Sequence, residues 1–205
     1  MKYRVHLDHD DAPENPCDWN DWQVVSFNRN HSSFEHSEGY VRRDGEGVSA
    51  GLRSKLRAGT AYVLSYYEHG ESAWMLAHSS QWARTPDKQW DGVSVAGILL
   101  WEGKPNEIGK TPELRHQAAT CFIETYTKWC NGHVYAYFIE KVVGCGECGE
   151  EHTEDLDDAT CGGFYDTEEM FREIRAITAD CDEVEVKGDV AWLADSDDVK
   201  EKVAA

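Results

Sequence analysis

Apolar side chains occupy both faces of His133–Val143, with Val134, Ala136 and Phe138 on one side and Tyr135, Tyr137 and Ile139 on the other. A period of two predicts a strand, and two apolar faces place that strand centrally in its sheet. Val93–Trp101 is a continuous apolar run, which predicts a second strand buried on both faces. Ala61–Glu68 and Ser72–His78 predict a hairpin about Gly70, because both runs favour β structure and glycine permits the turn. Lys2–Leu7 and Gln23–Phe27 read as further strands, and Glu183–Lys187 as an edge strand.

The helical signals are fewer. Thr111 caps a predicted helix over about Pro112–Asn131, Pro112 suits its first position, Glu113 favours its dipole and Gly132 stops it. Leu114, Ala118, Cys121, Phe122, Thr125 and Trp129 recur at spacings of three and four and define its inward face. Asp166-Thr-Glu-Glu169 reads as a capping box before a shorter helix that turns Met170, Phe171, Ile174 and Ile177 inward. A short helix at Val48–Arg57 exposes Arg53, Lys55 and Arg57. Strands cluster before the long helix rather than alternating with helices. The predicted class is therefore α+β, a largely antiparallel sheet packed by one long helix (about 112–131) and a shorter one (about 167–177), with a Cys/His loop inserted. One domain over 1–188 and an acidic tail over 189–205 complete the expectation.

Composition changes this picture through charge. Residues 1–144 carry a net charge of −4, and residues 145–205 carry −15 of the total of −19. An acidic last third disfavours direct nucleic-acid binding, because phosphate contacts need Lys and Arg to displace counterions. It suggests a basic protein partner, a hard cation, or simple solubility. Trp74, Trp82 and Trp90 near Arg84 and Lys88, and the pair Arg42-Arg43, are too thin a positive surface to oppose it. The longest apolar run falls short of the ~20 residues of a membrane-spanning helix, and the start lacks the apolar core of a secretion signal. Seven unevenly spaced cysteines fit metal-bound or free thiols in a reducing compartment better than a disulfide framework.

The chemistry concentrates at Cys145-Gly-Glu-Cys148-Gly-Glu-Glu-His152, with Cys161 following. A Cys-x-x-Cys turn brings two thiolates to one ion, and Cys145, Cys148, His152 and Cys161 together make a candidate structural zinc site. His152 is the least secure ligand, and Cys181 is its alternative. An exposed acidic loop with incidental thiols and a redox dithiol are the competing readings. The dithiol is disfavoured because Glu147, Glu150 and Glu151 are expected to raise the thiol pKa values. Asp8, Asp10 and Asp11, and Asp155, Asp157 and Asp158, lack calcium-loop spacing and read as solvated loops. His31, His69, His78 and Cys121 could act as acids, bases or nucleophiles, yet no spacing joins them into a catalytic set, so no catalytic residue is assigned.

Five motifs carry a resemblance. They are Asp10-Asp11-Ala-Pro-Glu-Asn-Pro-Cys-Asp-Trp19, the strand ending in His69-Gly70, Trp90-Asp91-Gly92 before an apolar strand, Tyr126-Thr-Lys-Trp-Cys-Asn-Gly132 leading into Val134-Tyr-Ala-Tyr137, and Cys161-Gly-Gly-Phe164-Tyr165. In this order the chain resembles a broad group of small, mostly uncharacterised proteins encoded by bacteriophages and prophages. It departs from them at Glu71-Ser72 after the His-Gly turn and at Gly162-Gly163, where a Trp-Gly pair is common in the group. The resemblance implies an accessory protein acting in the cytoplasm of an infected host cell, and supplies no catalytic residues. With the acidic last third, it leads to the expectation of a non-enzymatic module engaging a basic host protein, in the manner of a DNA mimic that inhibits a nuclease or defence factor. Glu150, Glu151, Glu154, Asp155, Asp157 and Asp158 are the expected partner-binding residues. The alternatives are a small zinc- or Cys-dependent enzyme acting on a nucleotide or protein, and a virion or assembly component.

Overall fold

The computed structural model describes residues 1–40 and 47–195. Arg42 and Arg43, and the acidic tail beyond residue 195, lie outside the described residues. In chain order the elements are β1 (Lys2–His9), β2 (Trp22–Ser26), α1 (Ala50–Ala58), β3 (Ala61–His69), β4 (Glu71–Leu76), α2 (Ser80–Arg84), α3 (Lys88–Asp91), β5 (Gly92–Trp101), α4 (Pro105–Ile108), α5 (Pro112–Cys130), β6 (Tyr135–Gly144), β7 (Glu151–Phe164), α6 (Thr167–Ile177) and β8 (Glu183–Lys187). The α+β class and the antiparallel bias hold, with the strands divided between two four-stranded sheets. The chain forms two compact units, the first of residues 1–13 with 132–205 and the second of residues 14–131.

Unit one is the sheet β7-β6-β1-β8, antiparallel except for the parallel pair β1–β8. β1 alternates strictly. Tyr3, Val5 and Leu7 are buried, while Lys2, Arg4 and His6 take the other face. The inner face packs against α6 through Met170, Phe171 and Ile174, with Tyr137 and Ile139 of β6 beneath them. Asp166 caps α6 by accepting the Glu168 N–H at 2.9 Å. The outer face is a ladder of opposite charges. Arg4 Nε donates to Glu185 at 3.0 Å, His6 lies 3.0 Å from Glu140, and Lys2 donates to Glu151 at 3.3 Å. Such cross-strand pairs each contribute roughly 0.2–1 kcal/mol. β6 is central, as its two apolar faces predict, and β7 and β8 are the edges.

Unit two is the sheet β2-β5-β3-β4 between two helical layers. Trp22, Val24, Leu64, Trp74 and Leu99 face α5, and Val25, Ala61, Ile98 and Leu100 face Leu52 of α1. β5 is therefore buried on both faces, but only from Ala96 onward, since Val93 and Val95 are about half exposed at 50% and 53%. The helix boundaries of α5 match the sequence expectation to a residue, with Thr111 accepting the Leu114 N–H. Its inward face does not. Ala119, Phe122, Ile123 and Tyr126 are the buried residues, while Leu114 and Cys121 are exposed. The stripe sits about one residue away from the predicted one, because Ile123 and Tyr126 bring more apolar surface to it than Thr125 and Cys121 do.

α5 also completes β4, an edge strand whose outward backbone groups need partners. Asn131 Oδ1 accepts from the Ser72 N–H at 2.9 Å and its Nδ2 donates to the Ser72 carbonyl at 2.8 Å. One turn earlier, Thr127 Oγ1 accepts the Trp74 N–H at 3.1 Å and donates to the Trp74 carbonyl at 3.3 Å. Two side chains of a helix thus do for β4 what a fifth strand would.

Candidate metal centre

β6 and β7 are joined by a hairpin whose loop is Cys145–Glu150. The Cys145 N–H donates to the Glu150 carbonyl at 2.8 Å, and the Gly149 N–H donates back to the Cys145 carbonyl at 3.0 Å. That closure needs a left-handed residue directly after the second cysteine, and Gly149 supplies it at φ +74°. Within the loop the Cys148 N–H points at Cys145 Sγ, 3.5 Å away. His152, one residue into β7 opposite Val143, turns its imidazole back to the loop. Its Nε2 lies 3.8 Å from Cys148 Sγ, and the ligand atoms of Cys145, Cys148 and His152 are all within 4.8 Å of one another.

Those separations fit one ion. A tetrahedral centre with metal–sulfur bonds of ~2.3 Å and metal–nitrogen bonds of ~2.05 Å sets its sulfur and nitrogen roughly 3.6 Å apart. The observed 3.8 Å is within a few tenths of an ångström of that. The electrostatics favour it too. The Cys145 thiol is held down at about 6, first by the backbone N–H of Cys148, then by that of Glu147 and by the Cys148 and His152 side chains. This corrects the expectation that neighbouring glutamates would raise it, since hydrogen bonds aimed at the sulfur act at closer range than exposed carboxylates, of which Glu151 is also paired with Lys2. A thiolate already present at neutral pH has no proton for a metal to displace. Cys145, Cys148 and His152 can therefore hold a metal ion.

Cys161 is not part of the group. β7 pairs with β6 on both sides of a bulge at Leu156–Ala159, so Cys161 stands opposite Tyr137 while His152 stands opposite Val143. Six residues of strand separate the two positions, roughly 20 Å at a rise of ~3.3 Å per residue. Its Sγ instead lies 3.7 Å from the Gly162 carbonyl, and the side chain packs against the core under α6. An inserted Cys/His loop is the expectation, and the extended strand found over Glu151–Phe164 cannot bring Cys161 back to the hairpin tip. Cys181 also packs against that core and is not a member of the ligand group.

The acidic residues beside the centre are split between the two faces of β7, Glu151 and Asp155 on the side of Lys2 and Arg4 and Glu154 on the other. Glu150, Glu151, Glu154 and Asp155 are all exposed, the first on the hairpin loop and the others on β7. Glu151 pairs with Lys2 at 3.3 Å and Glu154 with Lys141 at 4.0 Å. Asp157 and Asp158 belong to a bulge in which Leu156–Ala159 oppose Ile139 alone, and their side chains lie outside those described. Asp10, from the first acidic cluster, is structural, because its carboxylate accepts the N–H groups of Ala12 and Gly163 at 3.0 and 2.8 Å.

The remaining catalytic candidates separate in space. His69 lies 3.1 Å from Asp91 at the surface, and Cys121 is exposed on α5. His31 meets Tyr126 at 3.4 Å and Cys130 Sγ at 3.9 Å, but burial pushes the Cys130 thiol up to about 12 and the His31 imidazole down. Both groups are then neutral at pH 7, the opposite of an activated nucleophile and base. Sequence reasoning passed over Cys130 entirely. Its position four residues after Tyr126 on the buried stripe of α5 was the available signal.

Compared with protein-family models, with curated proteins and with solved structures, the chain matches none. Among the described residues, no helix is long and apolar enough to cross a membrane.

Proposed function

We propose that this protein is a non-enzymatic acidic binding module whose hairpin tip is ordered by zinc. The convergence of two thiols and one imidazole within 4.8 Å carries the reading. Thiolate and imidazole ligands favour zinc over the hard cations that carboxylates alone would take. Three protein ligands is also the number found in catalytic zinc sites. Exposure weighs against catalysis here, because Cys148 and His152 stand in solvent at a hairpin tip, where water reaches a reacting group. Bound zinc would tie the loop to the start of β7 and stiffen the carboxylates around it, Glu150 and Glu151 at the tip and Glu154 and Asp155 on opposite faces of the strand, which are offered to a basic protein surface. A surface that binds nucleic acid has that character, and the motif resemblance supports a phage accessory protein acting on such a host factor.

Elemental analysis of untagged protein tests the site. The expected result is about one zinc per chain, with two thiols freed by a chelator, as one closed cysteine pair requires. Cys148→Ser and His152→Ala lose the metal, whereas Cys161→Ser keeps it. Full retention by Cys148→Ser, or a metal-free wild type with freely reactive thiols, would overturn the assignment.

A further inference from the structure

Unit two contains a cavity of about 400 Å³ that none of the preceding chemistry uses. Its walls come from the β3–β4 hairpin, the loop around His31 and the last turn of α5. Tyr66 and Trp74 are cross-strand partners on one face, with ring centroids 4.9 Å apart. Glu68 and Ser72 are the next pair along the same face. Trp129 closes the helix side, and His31 stands edge-on to Trp74 at 5.0 Å. We propose that this cavity binds a small organic cation with an alkylammonium head, held against the Tyr66 and Trp129 rings beside the buried Trp74 and facing the Glu68 carboxylate.

Three observations point to a cation rather than a neutral aromatic or an anion. Among the described residues, the lining includes one carboxylate, Glu68, and neither Lys nor Arg. Aromatic faces attract ammonium groups through the ring quadrupole, by ~0.5–2 kcal/mol per ring depending on desolvation. The cavity also abuts the C-terminus of α5, where Trp129, Cys130 and Asn131 stand, and a helix C-terminus carries partial negative charge. The three other titratable groups in the wall, His31, Cys130 and Tyr66, do not oppose a cation, and the Tyr66 hydroxyl is held protonated by burial. Burial keeps the His31 imidazole unprotonated at neutral pH and the Cys130 thiol intact. Tyr66 donates its hydroxyl to Glu68 at 2.6 Å, which fixes the carboxylate at the rim and leaves it acceptor capacity for a second donor. Trp74 is buried at 2% exposure, so the indole environment will report on whatever fills the space.

The test is a titration of the full-length protein with choline, followed by the indole N–H resonances of ¹⁵N-labelled protein. The expected result is a saturable shift of Trp74 and Trp129. The neutral carbon isostere, 3,3-dimethylbutan-1-ol, binds at least about tenfold more weakly, as expected when cation–π attraction is removed. Glu68 is exposed and tolerates change, so Glu68→Gln keeps the fold and weakens choline about fivefold, the scale of an exposed charge pair. Trp129→Leu weakens it about tenfold. Trp19→Ala leaves it unchanged, because Trp19 lines a different cavity with Trp22 and Trp101. Acetylated trimethyllysine amide, run in parallel, distinguishes a protein side chain from a free metabolite as the source of the cation, and tighter binding of either supports the site. No saturable shift, equal binding of the neutral alcohol, or loss of binding in Trp19→Ala with none in Glu68→Gln would overturn it.

Discussion

Two cysteines show how far local geometry moves the same thiol. Cys145 sits on an exposed turn and is drawn down to about 6 by N–H groups that stabilise its thiolate. Cys130 sits in the wall of a core and is driven up to about 12 by desolvation. In metal-free protein, alkylation at Cys145 should therefore rise through a midpoint near pH 6, while Cys130 stays unmodified through pH 9. Peptide mapping after pulses of iodoacetamide across that range measures both, and equal labelling of the two at pH 7 would refute the assignment. The sign for stability follows. The folded pKa of Cys145 lies below the ordinary 9.0, so its contribution is fully present above pH 9 and fades as pH falls through about 6. The Cys-x-x-Cys spacing makes the pair Cys145 and Cys148 legible in the sequence, since two thiols on one turn are close whatever else the chain does. The error over Cys161 has the same origin. Sequence distance measures spatial distance only when the intervening backbone can turn, and here it is β7.

α5 shows what a single element reveals and hides. Its ends were readable because Thr111, Pro112 and Gly132 act locally on the backbone. Its buried face was misjudged by about one residue, because the choice between neighbouring stripes is made by the sheet it covers. Its second role, holding the edge of β4 through Thr127 and Asn131, left no trace in hydrophobic periodicity at all. Asn131→Ala removes hydrogen bonds to both the N–H and the carbonyl of Ser72. Each is worth roughly 1 kcal/mol net, so denaturant unfolding should report a loss of about 1–2 kcal/mol. Hydrogen exchange should locate the cause, with the Ser72 amide exchanging faster and the Leu64–Leu76 pairing farther up the hairpin little changed. A stability loss with Ser72 still protected would mean that Asn131 acts through the helix terminus alone.

Over the whole chain, a net charge of −19 makes salt act in two opposed directions. Exposed carboxylates repel one another in the folded protein, and the Debye length falls from ~30 Å at 0.01 M salt to ~10 Å at 0.1 M. Added sodium chloride should then raise the thermal midpoint, because screening relieves more repulsion than it costs in surface pairs such as Lys2–Glu151 and Lys141–Glu154. The same screening should weaken association with a basic partner, most steeply between those two concentrations. Net charge alone would produce this with any polycation, so the decisive comparison is between two variants of equal charge. One neutralises Glu150, Glu151, Glu154 and Asp155 beside the metal centre, and the other neutralises Glu168, Glu169, Glu173 and Asp180, on α6 and just beyond it. If the hairpin is the docking element, the first variant should lose most of its affinity for poly-L-lysine while the second keeps most of it. Chelation should reproduce part of the first loss by loosening Cys145–His152. Equal losses in the two variants would reduce the acidic last third to a matter of solubility, and the metal hairpin would then stand as a purely structural clasp.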